Sequence, residues 1–323
     1  MAVRQNAASG GGPVRPLVER VRVCAPATTA NLGPGFDALG LALEWLDEVD
    51  LEFTSGGLAV VVVAPKAGDG PVVPLDARNL VVRGARAVLR VLDQGGRGLR
   101  VGLRLSLPVG RGLGSSAAAV AAGLVGTNRA FGDPLSPEQL IELGADIEGH
   151  PDNVAAAILG GMCVTCRAED GLHVVRLDAP RGVRAVVAVP DCPLDTVVAR
   201  RALPTQVSFT DAVANIQRAC LLVAAVARGR VDLLGEATRD LLHQPYRAAL
   251  VPGLQPCLEA ARVAGALGAF LSGAGPSVLA LVPDEGAVGS AVGEAMRRAL
   301  EQVGGGQVHC LDLRARGAEA QTG

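Results

Sequence analysis

The sequence predicts an α+β chain in two units, on three observations. Strands and helices alternate irregularly, without the regular β-α-β-α series of a parallel sheet. The last third runs strand, helices, two strands, helix, strand, the order of a split β-α-β layer. The length, 323 residues, exceeds what one core usually holds.

The elements follow in order. Residues 21–24, 48–53 and 59–63 are rich in β-branched and apolar side chains and predict strands. Val81, Val82, Ala85, Val88, Leu89 and Leu92 recur at three- and four-residue spacing, which predicts an amphipathic helix over 79–92. A strand over 101–107 and a small-residue helix over 117–125 flank a glycine-rich turn. Ser136-Pro137-Glu138-Gln139 reads as an N-cap, a first-turn proline and a capping-box glutamine, opening a helix that runs to about Glu148. A further helix begins near Val154, with Asp152 as a possible cap, and strands return at 161–167 and 173–177.

Ala179-Pro180-Arg181-Gly182 marks the boundary between the units, with 21–180 before it and 181–315 after it. The second unit opens with a cleanly alternating strand over 183–189. A long helix capped by Thr210 and stopped by Gly229 follows, then helices over 231–242 and 254–266, strands over 269–271 and 277–282, a helix over 287–302 and a strand over 307–313. Residues 1–20 and 316–323 read as tails.

Composition bounds the function classes. A net charge of −2 gives no basic face for nucleic acid. No apolar run is long enough to span a bilayer, and no apolar core of a signal peptide opens the chain, so the expectation is a cytoplasmic protein without a membrane partner. Seven scattered cysteines suit reduced thiols, and the single C-x-x-C, Cys163 and Cys166, lies in a strand with no second pair to complete a metal site.

The densest chemical signal is Pro108-Val109-Gly110-Arg111-Gly112-Leu113-Gly114-Ser115-Ser116-Ala117-Ala118. Glycines let the backbone turn tightly and approach a ligand, and the unpaired N–H groups of a helix start favour an anion. The run predicts a phosphate cradle. It is not the G-x-x-x-x-G-K-[ST] loop, because no lysine follows the glycines.

Two other segments, residues 25–37 (APATTANLGPGFD) and 272–277 (SGAGPS), join it in order and spacing. Together the three resemble the motifs of the GHMP kinases. The runs "APATTANLGPGFDALGLAL" and "EGHPDNVAAAILGG" resemble the branch of that family that acts on L-homoserine, and the resemblance covers residues 21–313.

The resemblance implies a two-domain GHMP kinase fold: a first domain like domain 2 of ribosomal protein S5 and a ferredoxin-like second domain. It implies transfer of the ATP γ-phosphoryl group to the L-homoserine hydroxyl on the way to threonine, with Mg2+ as cofactor and a homodimer as assembly. It assigns residues 108–118, with Gly273 and Gly275, to ATP. Magnesium takes oxygen ligands and keeps several waters, so Ser116 and Glu148 suffice as its protein donors, with Glu142 and Asp146 as alternatives on the same helix.

For the amino-acid substrate the resemblance points to Asn31, Asp37, His150, Thr196, Arg200 and Arg247. Asp37 suits the ammonium, and the planar forks of Arg200 and Arg247 suit the carboxylate. Asn153 is expected to orient the reacting hydroxyl, with Asp152 as an alternative base, and Arg200 and Glu148 complete the catalytic set. One position departs from the pattern: Val197 stands where many relatives carry a lysine. Two other readings stay open at this point, a different small alcohol as substrate and a nucleotide-binding sensor without catalysis.

Overall fold

The computed structural model describes residues 16–64 and 73–322. The first sheet is built around a long antiparallel hairpin, β1 (Arg20–Asn31) and β2 (Gly35–Thr54), joined by the turn Leu32-Gly33-Pro34. The segment 25–37 is therefore mostly strand, interrupted by register shifts after Pro26 and Ala30. Those irregularities bend the strands and re-aim side chains near the turn. β3 (Leu58–Ala64) and β4 (Gly98–Arg104) run parallel, with α1 (Leu80–Val91) crossing between them. The fourth strand thus lies three residues earlier than its sequence pattern predicts.

α2 (Ser115–Ala130) packs on β1 and α1, and it is longer at both ends than the expected 117–125. Glycines set its distance from α1. A Cβ on Gly123 would lie 2.1 Å from the Val81 carbonyl oxygen, and one on Gly84 2.5 Å from that of Val120. α3 (Pro137–Glu148) starts with the predicted capping box, Ser136 with Gln139, and stops at Gly149 in the left-handed region. α4 (Asp152–Leu159) begins at Asp152 itself, so Asp152 is its first residue and not a cap before Val154. β5 (Met162–Ala168) and β6 (Gly171–Leu177) then extend the sheet from β2.

The second sheet starts with β7 (Val183–Pro190). α5 (Thr196–Arg201) and α6 (Phe209–Arg228) follow. The cap of α6 is Ser208, whose hydroxyl accepts from the Asp211 N–H, and not Thr210. By length and composition α6 could cross a membrane, contrary to the sequence expectation. Its buried Asn215 ties it to the first unit instead, donating to the Pro34 carbonyl and accepting from the Leu241 N–H.

The helix expected over 231–242 is broken. A 3-10 turn at Val231–Leu233 and the short α7 (Leu234–Ala237) end before Asp240, whose carboxylate accepts the N–H groups of Leu242, His243 and Gln244. An aspartate that gathers three backbone donors favours a turn over continued helix.

α8 (Gln244–Arg247), α9 (Leu254–Val263), β8 (Gly268–Leu271), β9 (Val278–Pro283), α10 (Val288–Glu301) and β10 (Gly306–Asp312) complete the second unit. Its sheet order is β10-β7-β9-β8, all antiparallel, with α9 and α10 packed on it. Numbered within the unit, that order is 4-1-3-2, the ferredoxin-like arrangement.

Neither end matches its expected tail where it is described. Leu17 donates its N–H to the Ala130 carbonyl at 2.7 Å, while residues 1–15 lie outside the described residues. At the other end β11 (Glu319–Thr322) returns to the first sheet and pairs antiparallel with β1, Val21 opposite Thr322. The approach to β11 is pinned by Arg314, which bridges Glu44 and Glu319 and is 6% exposed.

Candidate functional site

The three glycine-rich segments meet between the two sheets. Ser272 Oγ lies 2.6 Å from the Gly112 carbonyl oxygen and 2.8 Å from Thr29 Oγ1, so one hydroxyl knits all three together. A Cβ on Gly112 would stand 2.3 Å from the Ser272 carbonyl oxygen, which only glycine permits. Around this junction opens a cavity of about 440 Å³.

The cradle forms its floor. Gly114 is the N-cap of α2 in the left-handed region and offers no side-chain cap, so the first N–H groups of α2 have no side-chain cap of their own. A Cβ there would lie 1.8 Å from Thr28 Oγ1. Val109, Gly110, Gly112, Leu113, Gly114, Ser115, Ser116 and Gly273 line the cavity. Pro108, Arg111, Ala117, Ala118 and Gly275 do not: Arg111 reaches the Asp191 carbonyl, and Ala117 and Ala118 are core residues under the loop.

Ser116 Oγ donates to Glu148 Oε2 at 2.7 Å. α2 supplies the serine from its first turn and α3 the carboxylate from its last residue, so two helix ends converge. A hydroxyl and a carboxylate are hard oxygen donors, the set that suits Mg2+ with most of its waters retained. Glu142 and Asp146 do not line the cavity. Among the described residues no group of three or more His, Cys, Asp or Glu could hold a metal.

The start of α4 forms one wall. Asn153 Oδ1 accepts from Thr28 Oγ1 at 2.8 Å, and the Asn153 backbone N–H donates to Asp152 Oδ1 at 2.7 Å. The same Asp152 oxygen takes the Asn153 amide at 3.3 Å and His150 Nδ1 at 3.1 Å, so Asp152 braces its neighbours. That hydrogen bond raises the His150 pKa above the usual histidine value, against the opposing effect of burial. Gly40 lets β2 come close enough for this wall to form, since a Cβ there would lie 2.2 Å from the Asp152 carbonyl oxygen.

The opposite wall carries the charges. Asn31 and Asp37, both with positive φ, flank the β1–β2 turn. Non-glycine residues held there store strain that the surrounding contacts must sustain. Asn31 donates to the Gly273 carbonyl at 2.9 Å and accepts the Asp37 N–H at 3.1 Å. Arg200, from α5, makes two hydrogen bonds of 2.8 Å to the Asp37 carboxylate. Thr196 and Val197 also face the cavity, from the first turn of α5.

Arg247 is 2% exposed and has no carboxylate partner among the described residues. Its guanidinium donates to the carbonyls of Ala199 and Gly273 and to His243. Burial, and after it the nearby Arg200, lower its pKa to about 10. The Phe36 ring centroid lies 5.4 Å from the Arg200 guanidinium and 5.3 Å from that of Arg247, so one ring contacts both cations.

The structure thus brings together Asn31, Asp37, Glu148, His150, Asn153, Thr196, Arg200 and Arg247 with most of the cradle. Sequence reasoning missed Phe36, Thr28, His243 and Asp240. The first two lie in the segment 25–37, and His243 lies in the same five-residue run as Arg247, so position was available but role was not. Cys163 and Cys166 do not form a pair. Cys163 is buried, with its thiol pushed up to about 12, and Cys166 is exposed.

Comparison with known proteins shows the family and the fold. Residues 79–161 match the model of the GHMP kinases N terminal domain, and residues 222–302 that of the GHMP kinases C terminal domain. The chain is 47% identical over 260 residues to a homoserine kinase of Moorella thermoacetica, covering 80% of this chain and 86% of that protein. It is 42% identical to a homoserine kinase of Synechococcus sp. (strain WH7803), covering 94% and 96% of the two. The crystal structure of homoserine kinase from Cytophaga hutchinsonii superimposes with a TM-score of 0.85 at 31% identity, over 98% of this chain and 100% of that one.

Proposed function

Because this chain belongs to the GHMP kinase family, a family that uses ATP, we propose that it transfers the γ-phosphoryl group of ATP to the side-chain hydroxyl of L-homoserine, giving O-phospho-L-homoserine on the route to threonine. One observation carries the substrate: a buried arginine with no carboxylate partner among the described residues shares a cavity with an Asp–Arg pair. A buried cation that lacks an anion is costly, and a ligand carboxylate removes that cost. An α-amino acid brings both the carboxylate for Arg247 and Arg200 and the ammonium for Asp37. An uncharged alcohol would leave Arg247 without an anion, while Asp37 and Arg200 stayed paired with each other.

The remaining groups divide the chemistry. Phosphoryl transfer passes through a loose transition state, so the protein mainly positions groups and stabilises charge. The start of α2 holds the phosphates on its N–H groups. Ser116 and Glu148 would hold a Mg2+ ion, which supplies charge neutralisation to the phosphate oxygens when bound. Thr28 fixes the Asn153 amide, whose remaining N–H capacity orients the substrate hydroxyl. Asp152 Oδ1, already engaged by three donors, serves to hold Asn153 and His150. By the same family resemblance the assembly is a homodimer, which sedimentation of the purified protein tests.

The deciding experiment supplies MgATP with homoserine, threonine, serine or mevalonate and follows ADP release. Turnover dependent on homoserine is expected; its absence overturns the substrate assignment.

A further inference from the structure

His243 lies outside the cavity but touches two of its determinants. Its side chain is fully buried. Nε2 sits 2.8 Å from the Gly33 carbonyl oxygen, and Nδ1 sits 3.2 Å from Nη1 of Arg247. A carbonyl only accepts and a guanidinium only donates, so neither contact can reverse. Nε2 therefore carries the proton and Nδ1 offers its lone pair: the ring is neutral, in one tautomer.

We propose that His243 is a positioning residue for the substrate carboxylate, holding the Arg247 guanidinium through Nδ1 and the β1–β2 turn through Nε2–H. The proposal rests on the homoserine reading for the identity of the anion. Gly33 immediately precedes Pro34 and the segment that carries Phe36 and Asp37, so one imidazole links Arg247 to the turn that leads into Asp37. The Phe36 ring packs on it with centroids 5.2 Å apart.

The groups around the ring preserve this state. Asp240, on the same turn, lies 3.6 Å from Nε2 while its carboxylate takes three backbone N–H groups. Arg247 contacts the ring from α8, and the Asp37 charge on β2 acts on it through space. Burial first, and Arg247 after it, lower the His243 pKa below the usual histidine value, against the opposing pull of Asp240 and Asp37. A protonated Nδ1 would point a hydrogen at a guanidinium that has no lone pair to accept it.

Two measurements decide the matter. Ring 15N NMR of the full-length protein, with its four histidines assigned by single variants, needs no substrate. A neutral Nε2–H signal for His243 at pH 7 is expected, and an imidazolium or Nδ1–H signal overturns the proposal. The kinetic arm compares His243→Asn, whose amide oxygen replaces Nδ1, with His243→Gln, whose amide reaches the Nε2 position. His243→Gln should raise the homoserine KM by about 10- to 100-fold, the size of a hydrogen bond to a charged group. His243→Asn should raise it by less than about fivefold, and both should leave the ATP KM within about twofold. Equal effects of the two variants on the homoserine KM, or parallel rises in both KM values, overturn it. Wild-type protein that does not turn over homoserine removes the substrate assignment, and the tautomer measurement still decides the role of the ring.

Discussion

The carboxylate of Asp37 and the guanidinium of Arg200 meet in two hydrogen bonds of 2.8 Å, although 163 residues separate them in sequence. The pair spans the junction of the two sheets and opens on the cavity. An entering zwitterion exchanges this internal pair for two pairs with itself, so the charges stay compensated before and after binding.

Removing either partner should therefore act on substrate binding. Asp37→Asn and Arg200→Ala are each expected to raise the homoserine KM about 10- to 100-fold, the loss of one charged hydrogen-bonded contact. The ATP KM should stay near wild type. Because both side chains are partly exposed, thermal stability should fall by less than about 1 kcal/mol. Steady-state kinetics with each substrate varied separately checks this, and loss of ATP binding in both variants would count against the assignment.

Glu148→Gln tests the metal donors. Replacing the carboxylate with an amide keeps the shape and removes the charge, so kcat should fall on the order of 100-fold or more. Ser116→Ala should cost about tenfold, since water can replace a neutral hydroxyl. Titrating activity against Mg2+ should show a higher half-saturating concentration in both. Unchanged kcat in Glu148→Gln moves the metal elsewhere.

Gly114→Ala addresses the floor of the site. The added methyl group would collide with Thr28 Oγ1, whose hydrogen bond holds the Asn153 amide. Together with the left-handed backbone this should cost about 1–3 kcal/mol of stability and displace Asn153. Thermal melting should show the loss, and kcat should fall more than either KM rises. Thr28→Val, which keeps the shape and deletes only the donor, should lower kcat without the stability loss.

The buried His243 gives a pH dependence of known sign. Its pKa in the folded state lies below the unfolded value of about 6.5. Above that value both states are neutral and the contribution is complete. As pH falls below it the unfolded chain takes up a proton that the native state refuses, so stability declines. The melting temperature should therefore drop between pH 6.5 and 5 more steeply for wild type than for His243→Asn. Equal slopes would show that the ring does not titrate on unfolding.

Much of the architecture was legible because it rests on local chemistry. The capping box of Ser136 and Gln139, the stop at Gly229 and the apolar spacing of Val81 to Leu89 are determined by neighbours in sequence. What was missed depends on distant partners. β2 runs for 20 residues because β1, β4 and β5 all pair with it, although its first half carries glycines that locally suggest a loop. The helix expected at 231–242 fails because Asp240 finds three backbone donors beyond it. The motif residues at the site were legible through resemblance. His243 was not, because its role depends on Gly33, 210 residues away.

The return of residues 319–322 to β1 has a consequence for the order in which the protein is made. The strand they cover is synthesised well before them, and among the described residues no other strand pairs with that edge of β1. A nascent chain with both sheets otherwise assembled still presents the N–H and C=O groups of β1 from Val21 to Cys24, the kind of edge that recruits other chains. Synthesis therefore cannot finish the first unit before starting the second, and solubility during translation depends on how quickly β11 arrives.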